Sequence, residues 1–385
     1  MNGITHADVI IIGGGIHGSS AALQLAKAGK RVLLLEKNYV ARHASGVNAG
    51  GVRTLTRHMA EVPLSLASQH MWANIQEHVD DDCGFEVTGQ IRVAENESDE
   101  KILSDRFTMM QSNGYIHEEW VDAVGVRDMI PSITPNILGG LIARSDGAAD
   151  PYRTTTAFRL KAQQYGADIR EGVTVKTVVR QGQGWLVDTT GGRFGSEVLV
   201  NCAGAWADQI SAQFGEIVPL KPIAPMMLVT SRMPHFLSLV VLGTGRALSF
   251  KQRTNGTVLI GGGRLAWVDR DRDITELDFR TLADSARTVC DLFPHMRNAS
   301  VNRGWAGIEA SMPDGIPVIG ASNTEQNLFH AFGFSAHGFQ LGPIVGKILS
   351  ELIITGSTNL PIEPFNISRF AASSQAPAGA YPFAT

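Results

Sequence analysis

The sequence predicts an α/β fold with a second domain of α+β type on a mixed or antiparallel β-sheet, and three observations carry that expectation. A strand, tight turn, helix and strand open the chain; later helical stripes alternate with short strand-like runs; and neither an internal repeat nor an apolar run of the ~20 residues a membrane helix needs interrupts them. The first strand covers residues 8–12, where Val9, Ile10, Ile11 and Ile12 are continuously apolar, as a parallel strand buried on both faces requires. Gly13, Gly14 and Gly15 then turn the chain into a helix over residues 16–28. Its stripe of Ala21, Ala22, Leu25 and Ala28 is small enough to lie close on a sheet, and Gly29 supplies the stop. A second strand over residues 30–36 completes a βαβ unit of Rossmann-like type.

Further elements follow by the same reasoning. Helical spacing runs over residues 63–78, 152–165 and 277–293, and strand patterns occupy residues 90–94, 140–143, 226–230, 247–251 and 258–261. Strands over residues 173–179 and 185–188 flank Gln181-Gly182-Gln183-Gly184, a hairpin turn. At roughly 100–200 residues per domain, a chain of 385 residues divides in two. Residues 1–85, 145–220 and 300–370 are assigned to the Rossmann-like domain, residues 86–144 and 221–299 to the second domain, and residues 371–385 to a loosely ordered tail rich in Ala, Ser and Pro.

Composition excludes several classes of function. Hydrophobic residues make up 44% and charged residues 18%, and the formal net charge of −4 is spread without a basic block, so nucleic acid is not an expected partner. Cys83, Cys202 and Cys290 show no metal-ligand spacing, and their odd number argues against a disulfide framework. With no basic leader or cleavage pattern before Val9, the expectation is a cytoplasmic protein, a peripheral place at an inner membrane remaining open.

Gly13-Gly14-Gly15-Ile16-His17-Gly18 fits G-x-G-x-x-G in the required setting, after a strand and opening a helix. Gly13 permits the turn, Gly15 lets backbone approach a pyrophosphate at the positive helix end, and Gly18 lets helix and strand touch. Glu36 ends the second strand 18 residues after Gly18, where a carboxylate can accept ribose hydroxyls. These residues point to a dinucleotide but do not separate NAD from FAD.

Five segments in order carry a resemblance: residues 9–37, 44–53 (ASGVNAGGVR), 200–208 (VNCAGAWAD), 305–320 (WAGIEASMPDGIPVIG) and 332–342 (FGFSAHGFQLG). Together they resemble the FAD-dependent D-amino acid oxidase (DAO) family. The WAGIE pattern is most similar to the flavin-bearing β subunits of proline, hydroxyproline, opine and sarcosine dehydrogenases. The resemblance implies FAD as cofactor, held by Gly13, Gly15, Ile16, His17, Gly18, Glu36 and Lys37 of the first segment. It also implies a flavin-contacting loop of Ser45, Asn48, Ala49, Gly50 and Gly51, an adenine contact at Val175, and a turn of Ala203, Gly204 and Trp206 near the ribityl and pyrophosphate. At the flavin end it implies Gly333, Ser335, His337, Gly338, Phe339 and Gln340, with Pro343 starting a helix aimed at the flavin.

The activity so implied is oxidation of a C–N bond in a small amine or amino acid: a secondary amine, imino acid, opine or D-amino acid. Hydride passes from the α-carbon to flavin N5, and the imine then hydrolyses. Arg53 resembles a family arginine that holds the substrate carboxylate, while Glu309 stands where other members carry arginine and could meet a substrate amine. His337 and Gln340 complete the expected catalytic set. No metal is expected. Ile260 occupies the position of a family lysine that assists oxygen, so the expectation is a dehydrogenase passing electrons to a partner subunit, quinone or other carrier. His43 resembles a family histidine bonded to the flavin, its alternatives being a phosphate contact or a place at the loop surface. Two rivals stay open: an NAD(P)-dependent dehydrogenase, and a non-catalytic FAD-binding subunit of a larger complex.

Overall fold

In the computed structural model, which describes residues 4–371, the apolar opening run forms β1 (Thr5–Ile12) at the centre of a sheet. Its last four residues are buried, because β1 has neighbours on both edges, helices on the face of Val9 and Ile11, and mainly a β-hairpin on the face of Ile10 and Ile12. Helix α1 (Ile16–Lys27) follows, and Gly29 takes a left-handed backbone (φ +82°) just beyond it. Strand β2 (Val32–Leu35) returns parallel to β1, pairing Val9 with Val32 and Ile12 with Leu35. On the other edge β1 pairs in parallel with β3 (Gly192–Asn201), and β3 with β4 (Leu328–Phe332). Val318–Ala321 closes that side antiparallel, and Asp168–Arg170 extends the other. The expected hairpin is present as Val175–Gln181 and Gly184–Thr189, hung on β3.

The second sheet has eight strands in the order Val301–Ala306, Met226–Thr230, Val258–Gly261, Ser249–Gln252, Val240–Gly243, Gln90–Ala94, Gly139–Ala143 and Glu119–Asp122. Every pair is antiparallel except Val240–Gly243 with Gln90–Ala94, so the sheet is mixed. Alternation divides its faces. Ile91, Val93, Phe250 and Ile260 enter an apolar core against Phe279–Leu292, whereas Gln90, Arg92, Leu242 and Ser249 face the first domain.

Three sequence expectations change. Val301–Ala306 joins the second sheet although its residues were assigned to the first domain, because it pairs along Met226–Thr230. The helix expected over residues 63–78 breaks at Asn74, whose backbone leaves the helical region, giving α2 (Val62–Ala73) and Ile75–Val79. Pro343 lies inside α3 (Gly338–Thr355), which begins five residues earlier. Of the expected tail, residues beyond Ala371 lie outside the described residues.

Candidate active site

The glycine turn shows why α1 sits where it does. Gly13 has φ +106°, and a β-carbon there would lie 2.3 Å from the Cys202 carbonyl oxygen; one on Gly18 would lie 2.0 Å from that of Gly13. Both positions therefore require glycine for α1 to lie against β1 and the end of β3. The first turn of α1 then opens onto a cavity of about 600 Å³ between the two sheets. Ser45 closes over this turn, its Oγ accepting the Ile16 N–H at 2.9 Å.

Almost every residue expected at the cofactor lines this cavity, from Gly13, Gly15, Ile16, His17, Glu36 and Lys37, through Ser45, Asn48, Ala49, Gly51, Val175, Ala203, Gly204 and Trp206, to Gly333, Ser335, His337, Gly338 and Phe339. Three do not. Gly18 is spent on helix packing. Gly50 (φ +70°) turns the chain beside Ala149, where a β-carbon would meet that carbonyl at 2.1 Å. Gln340, expected in catalysis, is fully buried as scaffold: its Nε2 donates to Ser65 O, its Oε1 accepts from Arg57, and its carbonyl accepts from Ser68 and Trp72.

At one end, Glu36 accepts the N–H groups of Gly14 (2.7 Å) and Asn38 (2.8 Å), and burial raises its pKa against those two bonds. Asn48, expected in the flavin-contacting loop, ties that loop together, donating to Ala44 O and accepting the Gly50 N–H. His17 stacks on Phe334 with ring centres 3.6 Å apart, and burial drives its pKa down to about 3. Lys37 lies over the Trp206 ring and pairs with Asp273, a residue of the second domain. His43 has no hydrogen-bond partner for either ring nitrogen among the described residues, with Asp273 at 3.8 Å; burial, then Arg42, lowers its pKa to about 4.

The other end is built on the segment from Arg53 to Glu61. Buried Asp146 accepts from Thr54 N, Thr54 Oγ1 and Leu55 N, while Glu118, held by Nε and Nη2 of Arg106, accepts the Thr56 N–H. So anchored, Arg53 reaches the cavity wall, one arm donating to Leu55 O and Thr56 Oγ1. Arg57, 1% exposed, also lines the cavity and donates to His337 O at 3.0 Å. The turn from Gly333 to His337 places Ser335 (φ +49°) and Ala336 (φ +67°) in left-handed conformations, strain of a kind that gathers at functional sites. That turn directs the Ala336 N–H to Glu309 Oε1 at 2.6 Å, and burial pushes the Glu309 carboxyl up to about 7. His337 Nδ1 meets Glu61 at 3.1 Å.

Sequence reasoning missed Arg57, Glu61 and Arg92 of this region. Arg53, Arg57 and Glu61 stand at every fourth position in an otherwise mostly uncharged stretch, the one available signal. Ile260 belongs to the apolar core of the second sheet rather than the cavity, because strand alternation turns it away. Among the described residues no group of His, Cys, Asp and Glu could hold a metal, and no helix is long and apolar enough to cross a membrane.

Comparison with known proteins gives a consistent frame. A family model described as FAD dependent oxidoreductase (DAO) matches residues 8–352. Glycine oxidase of Geobacillus kaustophilus is 26% identical, over 95% of this chain and 98% of that protein. Mouse dimethylglycine dehydrogenase is also 26% identical over 94% of this chain, which spans 44% of that longer protein. The crystal structure of L-proline dehydrogenase from P. horikoshii superposes with a TM-score of 0.88 at 26% identity, covering 96% of this chain and 98% of that one.

Proposed function

Since the chain belongs to the DAO family of FAD-dependent oxidoreductases, we propose that it oxidises the C–N bond of a small amine or amino acid, as a dehydrogenase. Bound FAD supplies the acceptor for the hydride that leaves the α-carbon. The cavity fits such a group: its lining includes the helix N-terminus with Gly13 and Gly15, Glu36 at the strand tip, and the turn from Gly333 to His337. The first turn of α1 and Ser45 would take the pyrophosphate, Glu36 the ribose, and residues around Val175 the adenine.

One observation carries the substrate reading. A cation, Arg53, and a carboxylate, Glu309, both line the cavity, so an amino acid could set its carboxylate against the guanidinium and its amine against the acid. Those two contacts orient the α-carbon, and positioning is most of what this chemistry asks of the protein. A cationic amine must also lose a proton before its lone pair can drive hydride out. Glu309, held near neutrality by burial, is suited to take it.

The dehydrogenase reading rests on the sequence resemblance alone, because Ile260 points into the core of the second sheet and its identity says nothing of the charge facing the cavity. Electrons would then pass to a partner subunit, a quinone or another carrier. The test is an anaerobic screen of flavin bleaching over D- and L-amino acids, N-methyl amino acids, prolines and opines, with the bleached protein then offered oxygen or a redox dye. Bleaching by one amine class and faster reoxidation by dye is the expected result. Bleaching by none would remove the substrate assignment, and rapid peroxide formation would make the protein an oxidase.

A further inference from the structure

Beside the cavity, Glu61 and His337 are both nearly inaccessible to solvent, at 0% and 3% exposure. Each keeps one polar atom without a hydrogen-bond partner among the described residues, Oε1 on Glu61 and Nε2 on His337. Their other atoms meet, Nδ1 lying 3.1 Å from Glu61 Oε2. Burial pushes the imidazole down to about 4 against the pull of Glu61, with Arg57 and Arg53 acting in the same direction as burial. Burial works to raise the Glu61 carboxyl, yet His337, Arg57 and Arg53 together hold it below its usual value.

At neutral pH the ring is therefore neutral and the acid ionised. A carboxylate can only accept a hydrogen bond, so the single ring proton sits on Nδ1 and Nε2 carries a lone pair. A buried acceptor with no donor is unfavourable, and His337 is one of the residues lining the cavity, so a ligand donor that reached Nε2 through a small shift of this turn would satisfy it. Arg57 fixes the backbone here through His337 O. Glu309 approaches the adjoining residue, Ala336, so two acceptors flank one turn.

A protonated secondary amine has two N–H donors. We infer that Glu309 takes one and His337 Nε2 the other, with Glu61 as the positioning residue that fixes the imidazole in its acceptor form. The inference rests on the amine reading above. As the substrate is activated, the N–H bond facing Glu309 breaks, its proton moves to a carboxylate oxygen, and the electron pair stays on nitrogen. The second N–H remains intact and holds that nitrogen, and its lone pair, in one orientation. A tertiary amine keeps no N–H after this step and loses the contact.

Two measurements on the FAD-loaded protein test this. Nitrogen-15 NMR of histidine side chains, with the His337 signal identified by its loss in His337→Gln, should show a neutral ring protonated on Nδ1 through the neutral pH range. A ring protonated on Nε2, or an imidazolium, would overturn the inference whether or not any variant folds. The second uses Glu61→Gln, whose amide can donate to Nδ1 and so reverse the tautomer. Proline should then bind about tenfold more weakly, judged from the concentration dependence of anaerobic flavin reduction, while cyclopentanecarboxylate, which lacks the nitrogen, perturbs the flavin spectrum with unchanged affinity. Equal weakening of both ligands would mean a merely structural role and sink the proposal. If amines of some class bleach the flavin equally well in wild type and variant, this inference fails and the amine reading stands. If no amine bleaches it, both fail.

Discussion

At the residue scale, the glycines of the opening turn differ in what they do. Gly15 has only the Ser45 hydroxyl near its β-position, at 2.9 Å, whereas Gly18 faces a backbone carbonyl at 2.0 Å. Gly15→Val should therefore fold and lose flavin, seen as a colourless protein with a normal circular dichroism spectrum, while Gly18→Val should fail to accumulate as folded protein. A Gly15→Val protein that purified fully yellow would remove this turn from the cofactor site. Glu309 gives a pH prediction. Its folded pKa of about 7 lies above the ordinary carboxylate value, so flavin reduction by an amine should rise as pH passes through about 7, and Glu309→Gln should flatten that rise. The same raised pKa means its neutral form favours the fold, so its contribution to stability is present below the ordinary carboxylate value and is lost as pH climbs to about 7. Arg53→Ala should cost about 2–5 kcal/mol in binding a carboxylate substrate if the pair is buried, with flavin content little changed; unchanged kinetics would exclude Arg53. The place of Gly13, Gly15, Glu36, Arg53 and Glu309 on the cavity wall was legible because each sits within a motif. Glu61 and Arg57 were not, since their proximity to His337 depends on contacts between residues some 280 positions apart in sequence.

At the scale of elements, the hairpin of Trp267–Asp269 and Ile274–Glu276 is the piece that ties the second domain to the cofactor end of the cavity. Asp273 binds Lys37 and Asn38, Arg270 binds Asp208 and the Ala205 carbonyl, and Trp206 donates to the Arg270 carbonyl. Lys37 and Trp206 line the cavity, so the hairpin must loosen for their contacts to change. Asp273 has φ +57°, a backbone asparagine tolerates, so Asp273→Asn removes the charge with little strain. Flavin should dissociate about threefold faster from that variant, with a weaker dependence on salt than wild type. An unchanged rate would mean the hairpin does not gate release. The hairpin was invisible in the sequence because its strands have three residues each, too few for alternation to register. The βαβ start, the strands Gln90–Ala94 and Val258–Gly261, and the helix Pro151–Gln164 were readable since their periodicity runs long enough or their turns are unambiguous. Glu97–Ser112 was overlooked although Asn96 caps it, its side chain accepting from Asp99 N, which is a local signal the sequence does contain.

For the whole molecule, the two sheets leave a cavity of about 600 Å³ between a nucleotide-type βαβ unit and a wall of Gln90, Arg92, Leu242 and Ser249. The first domain is built from discontinuous stretches of chain, which is why the family resemblance appears in five separated segments. The central claim is that hydride from an amine's α-carbon reduces flavin held in this space. Single-turnover reduction, followed without oxygen by loss of the yellow flavin absorbance, tests it with the best substrate of the screen and the same compound deuterated at the α-carbon. The account predicts complete bleaching, with a primary isotope effect on its rate. A flavin that stays yellow, or that bleaches at the same rate with both compounds at saturating concentration, would contradict it.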